Sequence, residues 1–77
     1  MICVFELTQT PDYEDPRIRK FDVVSTSKEA DAKIEKFVKA FIKEFDGEVY
    51  PGKGKNYPEV VVANDDVMGF IYKKAYK

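Results

Sequence analysis

The sequence predicts an α+β fold of order ββαββ, a four-stranded, mainly antiparallel sheet with one long amphipathic helix on one face. Three observations predict it. Between Thr26 and Gly47 apolar residues recur at spacings of three and four, the period of a helix. Alternating or β-branched runs flank that stretch on both sides, as strands do. Breaks rich in Pro, Gly, Asn and Asp separate the runs.

Ile2 to Gln9 alternates, with Cys3, Phe5 and Leu7 on one side and Ile2, Val4, Glu6 and Thr8 on the other. It reads as the first strand, its Cys–Phe–Leu side turned to the helix. Thr10 to Pro16 holds two prolines and three acids, which stop the strand and make an exposed loop. Arg17 to Ser25 returns as the second strand, with Phe21 and Val23 as its inward pair. A loop of about seven residues between adjacent strands suits an antiparallel hairpin.

The helix has its own start and stop signals. Thr26 followed by Ser27, Lys28 and Glu29 fits a capping box, in which the hydroxyl accepts a first-turn N–H and the glutamate reaches back. Ala30, Ile34, Phe37, Val38, Phe41 and Phe45 form the apolar stripe. Gly47 stands where a residue of positive φ commonly ends a helix. Glu29–Lys33 and Glu35–Lys39 are spaced i,i+4 in the favourable order, worth about 0.2–0.5 kcal/mol each. Packing must therefore supply most of the helix's stability.

Beyond Gly47 the pattern weakens. Glu48–Val49–Tyr50 has strand character, and residues 51–56 (PGKGKN) are rich in turn formers. Glu59 to Ala63 (EVVVA) is the clearest buried strand, and Asn64–Asp65–Asp66 supplies a turn. Val67 to Tyr76 has two readings. As a helix it would gather Met68, Ile71, Tyr72 and Ala75; Gly69 and the β-formers favour a strand paired with Val60–Val62.

The 77 residues suit one domain spanning 1–77, with a thin margin of stability at that size. A hydrophobic content of 44%, with six Phe and five Tyr, is enough for a core and too apolar for a disordered tail. One cysteine cannot form an intrachain disulfide, and no signal-peptide pattern follows Met1, so a cytoplasmic setting is expected. No apolar run approaches the roughly 20 residues of a membrane span. Net charge is −1, which gives no global attraction to nucleic acid. The charge is uneven along the chain: residues 1–16 carry only acids and residues 67–77 only bases. Ends that met in the fold would cancel this polarity.

What is missing constrains the chemistry most. The chain has no histidine, and its two serines, Ser25 and Ser27, stand at the helix start where capping accounts for them. Ser–His and Cys–His nucleophiles are thus excluded, as are His-containing and Cys₄ zinc sites. A non-enzymatic protein without metal or cofactor is expected. Asp12, Glu14, Asp15, Asp65 and Asp66 offer oxygen ligands for Mg²⁺ or Ca²⁺, but without the spacing of a calcium-binding loop they read as solvated turns. Gly52–Lys53–Gly54–Lys55 resembles anion-gripping loops in composition, but Asn56 stands where a phosphate-binding loop needs Ser or Thr. Lys36, Lys39 and Lys43 align opposite the apolar stripe and read as a solvated row.

Aromatic and basic residues mix near the C-terminus. With 67–76 as a strand, Met68, Phe70, Tyr72, Lys74 and Tyr76 share one side, and Val67, Gly69, Ile71 and Ala75 the other. One helix cannot cover both faces of a sheet, so an apolar outer face including Ile2, Val4, Ile18 and Val24 is expected to meet a partner or a second copy. The sequence thus points to a small protein-binding module, in the manner of the inhibitors and adaptors that bacterial viruses direct at host proteins. Tyr72, Lys74, Tyr76, Lys53, Lys55 and Tyr57 are its candidate contact residues. Two alternatives stand beside it. One is a nucleic-acid binder using Lys53, Lys55, Tyr72, Lys73, Lys74 and Tyr76. The other is an oligomer that sequesters an anionic small molecule or nucleotide at the Gly–Lys loop.

Overall fold

The computed structural model describes residues 1–12, 15–51 and 59–76. Its elements are β1 (Ile2–Gln9), β2 (Arg17–Val24), α1 (Ser27–Phe45), β3 (Glu48–Pro51), β4 (Val60–Ala63) and β5 (Met68–Ala75). The class is α+β as expected, but the sheet has five strands and the order is ββαβββ. Glu48–Pro51 is a strand in its own right, paired with β4 along its length. Residues 68–75 form a strand, which corrects the helical alternative for that segment.

The sheet is antiparallel throughout, in the order β2-β1-β5-β4-β3. The first and last strands lie side by side, and Tyr76 N–H donates to the Met1 carbonyl at 2.8 Å. The helix leaves one edge strand and delivers the chain to the other, so it has to cross the sheet it covers. Its stripe does this work: Ala30, Ile34 and Phe41 are buried, with Phe37, Val38, Ile42 and Phe45 packed around them.

The caps follow the sequence with two adjustments. The Thr26 hydroxyl accepts from Glu29 N–H at 3.2 Å and also donates to the Glu29 carboxylate at 3.1 Å, so the return bond falls on the hydroxyl. At the other end the positive φ begins at Asp46 (φ 60°), one residue before Gly47 (φ 152°). Asp46 accepts Gly47 N–H on its own carboxylate at 2.9 Å, and its N–H closes the helix on the Ile42 carbonyl at 2.8 Å. Short polar side chains of this kind tolerate such backbone conformations. Asn64 then fastens the β4–β5 turn to the helix end. Its amide donates to the carbonyls of Phe45 (2.7 Å) and Asp46 (3.0 Å), while its oxygen accepts from the N–H groups of Asp66 and Val67.

The main correction concerns the phase of the hairpin. The helix side of β1 carries Val4, Glu6 and Thr8, all buried, with Ile2 packed at the edge of the same core. Cys3, Phe5 and Leu7 face away from the helix. In β2 the buried residue is Val24, whereas Phe21 and Val23 are exposed. The expected inward residues therefore point outward, and Ile2, Val4 and Val24 point inward.

A bulge explains how β2 keeps both faces in order. Glu6 pairs with Lys20 and Leu7 with Ile18, leaving Arg19 as the extra residue. Ile18 is thereby returned to the outer face, as expected for it. Arg19 reaches the buried Glu6 with two bonds, Nε to Oε2 at 2.7 Å and Nη2 to Oε1 at 2.9 Å. Thr8 donates to the same carboxylate at 3.0 Å, and Arg19 Nη1 donates to Glu44 on the helix at 2.7 Å. The guanidinium also lies 4.8 Å from the Phe45 ring centre. A carboxylate with no exposure is tolerated here because both of its oxygens have donors, Oε1 from Arg19 and Oε2 from Arg19 and Thr8, and the guanidinium balances its charge.

Gly69 has a specific packing role. A Cβ there would stand 2.5 Å from Cε2 of Phe41, so the ring lies directly on the backbone of β5. Of the two helix pairs expected, Glu35–Lys39 forms at 3.0 Å. Lys33 instead reaches across to Asp22 of β2 at 2.8 Å. No helix among the described residues is long and apolar enough to cross a membrane.

Candidate functional site

The outer face of the sheet carries the open apolar surface of the molecule. Registers place three rings in one row across three strands, because Phe5 is paired with Phe21 on one side and Tyr72 on the other. Phe5 stacks on Phe21 at 6.0 Å and on Tyr72 at 5.2 Å between centroids. The next row runs Ile18, Leu7, Phe70, Val61 and Tyr50 across all five strands. A third row brings Val23, Cys3 and Lys74 together. Phe21 and Ile18 are each 59% exposed, values at which a large apolar side chain has gained little from folding.

This surface follows from strand alternation plus the bulge. Phe5, Leu7, Phe70 and Tyr72 occupy alternate positions of the two central strands, and the bulge brings Ile18 into line with them. Burial of the Tyr72 ring raises its hydroxyl pKa above the ordinary value, with Tyr76 adding to the effect. Lys74 lies 5.5 Å from the Tyr76 ring centre and has no ion-pair partner among the described residues. Tyr72, Lys74 and Tyr76 are thus brought together as expected. Lys53, Lys55 and Tyr57, with the whole Gly52–Lys55 loop, lie outside the described residues.

Lys73 belongs elsewhere. It stands opposite Val4 on the helix side and bonds Asp31 at 2.7 Å, which raises its pKa above the ordinary value. Only Lys74 among the described lysines of this strand accompanies the aromatic rows. The outer face contains Phe5, Phe21, Cys3 and Leu7, which the sequence assigned to the core. The signal that locates them is the polar run Glu6, Arg19 and Asp22, whose members all have charged partners on the helix side.

The two ends of the sheet differ in charge. Because β1 and β5 are antiparallel, Gln9 meets Met68 while Ile2 meets Ala75. Asp12 and Asp15 after β1 therefore sit at the opposite end of the sheet from Lys73 and Lys74 of β5, so these charges do not meet. Asp65 and Asp66, in the turn before β5, join Asp12 and Asp15 at the acidic end. A shallow depression beside that turn is lined by Asp46, Glu48, Tyr50 and Asp65. Tyr50 donates to Glu48 there at 2.7 Å, an interaction that raises the phenol pKa. Among the described residues no group of three or more Cys, Asp or Glu is placed to hold a metal ion. Lys36, Lys39 and Lys43 are exposed along the helix. No family model, curated protein or solved structure matches the chain.

Proposed function

We propose that this chain is a non-enzymatic protein-binding module that acts by occlusion, its outer sheet face covering an apolar surface of another protein. The observation that carries the reading is the three-ring row Phe21–Phe5–Tyr72, flanked by Ile18, Leu7 and Phe70, on a face that no helix or strand among the described residues covers. A continuous patch of this kind is what protein contacts use, with aromatic anchors at the centre. The inhibitor or adaptor role is the form such a module takes when the surface it covers is one its target needs. The composition supports the same reading, since no histidine is present and the serines sit at a helix cap.

The nucleic-acid alternative has weaker support. Stacking bases on a sheet needs cations beside the rings, and Lys73 is turned to the helix and bonded to Asp31. The sequestration alternative rests on the Gly52–Lys55 loop, which lies outside the described residues.

Affinity capture with outer-face variants tests the proposal. Tyr72→Ala and Tyr76→Ala baits are expected to keep the circular-dichroism spectrum of the parent and to lose its captured proteins. Unchanged capture by both variants overturns the reading. Retention on DNA or RNA that falls steeply with salt would favour the nucleic-acid alternative instead.

A further inference from the structure

We infer that Asp22 guards the open edge of β2: its carboxylate occupies an outward backbone N–H and keeps β2 from pairing with β2 of a second copy. This contact lies at the rim of the sheet and is independent of what the outer face binds.

The phase of the backbone decides which groups of β2 face outward. Met1 and Tyr76 exchange both of their bonds, Tyr76 N–H to the Met1 carbonyl at 2.8 Å and the Met1 ammonium to the Tyr76 carbonyl at 3.4 Å. From there the β1–β5 register runs without a shift from Ile2 to Gln9. Bonded and non-bonded positions alternate in an antiparallel pair, so Cys3 and Phe5 also turn their N–H and C=O groups to β5. Their partners on β2, Val23 and Phe21, therefore turn theirs away from β1, to the open edge. Beyond Lys20 the bulge at Arg19 breaks this spacing. Between the bulge and Val24 an added strand thus finds two donors, and one is taken. Val23 N–H donates to the Asp22 carboxylate at 2.8 Å, and Lys33 holds that carboxylate from the helix at 2.8 Å.

The other edge is closed by different means. The same alternation, carried through β5 and β4, turns Val49 and Pro51 of β3 outward. Proline has no N–H, so Val49 is the single outward donor of a four-residue strand. Short edges with proline resist strand addition. The β2 edge is eight residues long with Phe21 and Val23 exposed, so protection there falls to the bulge and Asp22. Symmetry names the strand that Asp22 holds off. A twofold pairing of β2 with itself that uses both donors sets Phe21 opposite Val23 and Asp22 opposite Asp22. The carboxylate then opposes the contact twice, by occupying one donor in each copy and by setting like charges directly across from each other.

Hydrogen exchange on the dilute parent chain is the first test. After correction for intrinsic rates, the Val23 amide should exchange about five- to tenfold more slowly than that of Phe21. Equal rates overturn the guard. Sedimentation velocity across a concentration series then compares variants with the parent. Asp22→Val should self-associate about tenfold or more tightly than the parent, since the contact gains a donor in each copy and loses the facing charges. Asp22→Ala, a second variant should the valine disturb the circular-dichroism spectrum, carries the same expectation. Asp22→Val/Val23→Pro removes the freed N–H at an edge position and should return to the parent's behaviour. Lys33→Met leaves the carboxylate on Val23 N–H and should associate no more tightly than the parent. Association of the Asp22 variants at the parent's level overturns the guard. Tight association that survives Val23→Pro puts the contact elsewhere and overturns the edge. A rise in Lys33→Met as large as in Asp22→Val traces the effect to the lost ion pair and overturns the role of the N–H.

Discussion

The two faces of this sheet are both apolar, and what separates them is the treatment of charge. The inner face holds Glu6, Asp22 and Lys73, each bonded to an opposite charge: Glu6 to Arg19, Asp22 to Lys33, Lys73 to Asp31. The outer face holds rows of rings and aliphatics, with Lys74 toward one end and Gln9 and Glu48 in the row at the other. Hydrophobicity read strand by strand would therefore assign the wrong side to the core. A polar residue inside a small domain is compatible with burial when the fold brings it a partner, and the bulge at Arg19 does that for Glu6.

The comparison is sharpest where the inner face is cut. Phe41→Ala should cost about 3–5 kcal/mol, because it removes a fully buried ring from the contact between helix and β5. For a domain this small that is a large part of its total stability, and a urea melt should show a mostly unfolded variant. Arg19→Met should cost about 3 kcal/mol by leaving Glu6 buried without its cation. A loss below about 1 kcal/mol would mean that water reaches the carboxylate. Gly69→Ala should cost about 1–3 kcal/mol through the clash with the Phe41 ring. Adding Phe41→Leu should make the glycine change cheaper than it is in the parent, which a double-mutant cycle measures. On the outer face, Phe21→Ser should change stability by no more than about 0.5 kcal/mol while abolishing face-dependent association.

The smallest effect is one of pH. The Lys33 ammonium, then the Val23 N–H, holds the Asp22 carboxyl below its ordinary value of 3.8. A group whose pKa is lowered on folding stabilises above its unfolded value and loses that contribution as the pH falls through the folded one. Stability should thus be level from neutrality to about pH 4 and then decline. Asp22→Asn should flatten part of that decline in acid melts, by a modest amount because the pair is exposed.

Much of the fold is legible in the residues. The helix follows from its stripe, Thr26 and the break after Phe45, all local features with one outcome. The turn at Asn64–Asp66 is equally local. The β3 strand is faint because its four residues end in proline and are exposed, so only pairing with Val60–Ala63 defines it. For the candidate site, alternation alone suffices to gather Phe70, Tyr72 and Lys74. It cannot reveal that Phe5 and Phe21 join them, since the side of β1 depends on where Arg19 lands.

What the sequence determined by itself is the class, the helix and its limits, and the expectation that one helix covers only one face of the sheet. These rest on periodicity and on capping, which act over a few residues. The tertiary structure alone decided which face that is. Strand phase is a choice between two alternating sets, and here Glu6 and Asp22 make the inner set look like the solvent side. Only the partners Arg19, Lys33 and Glu44, distant in the chain and near in space, turn those charges inward and leave the aromatic row outside.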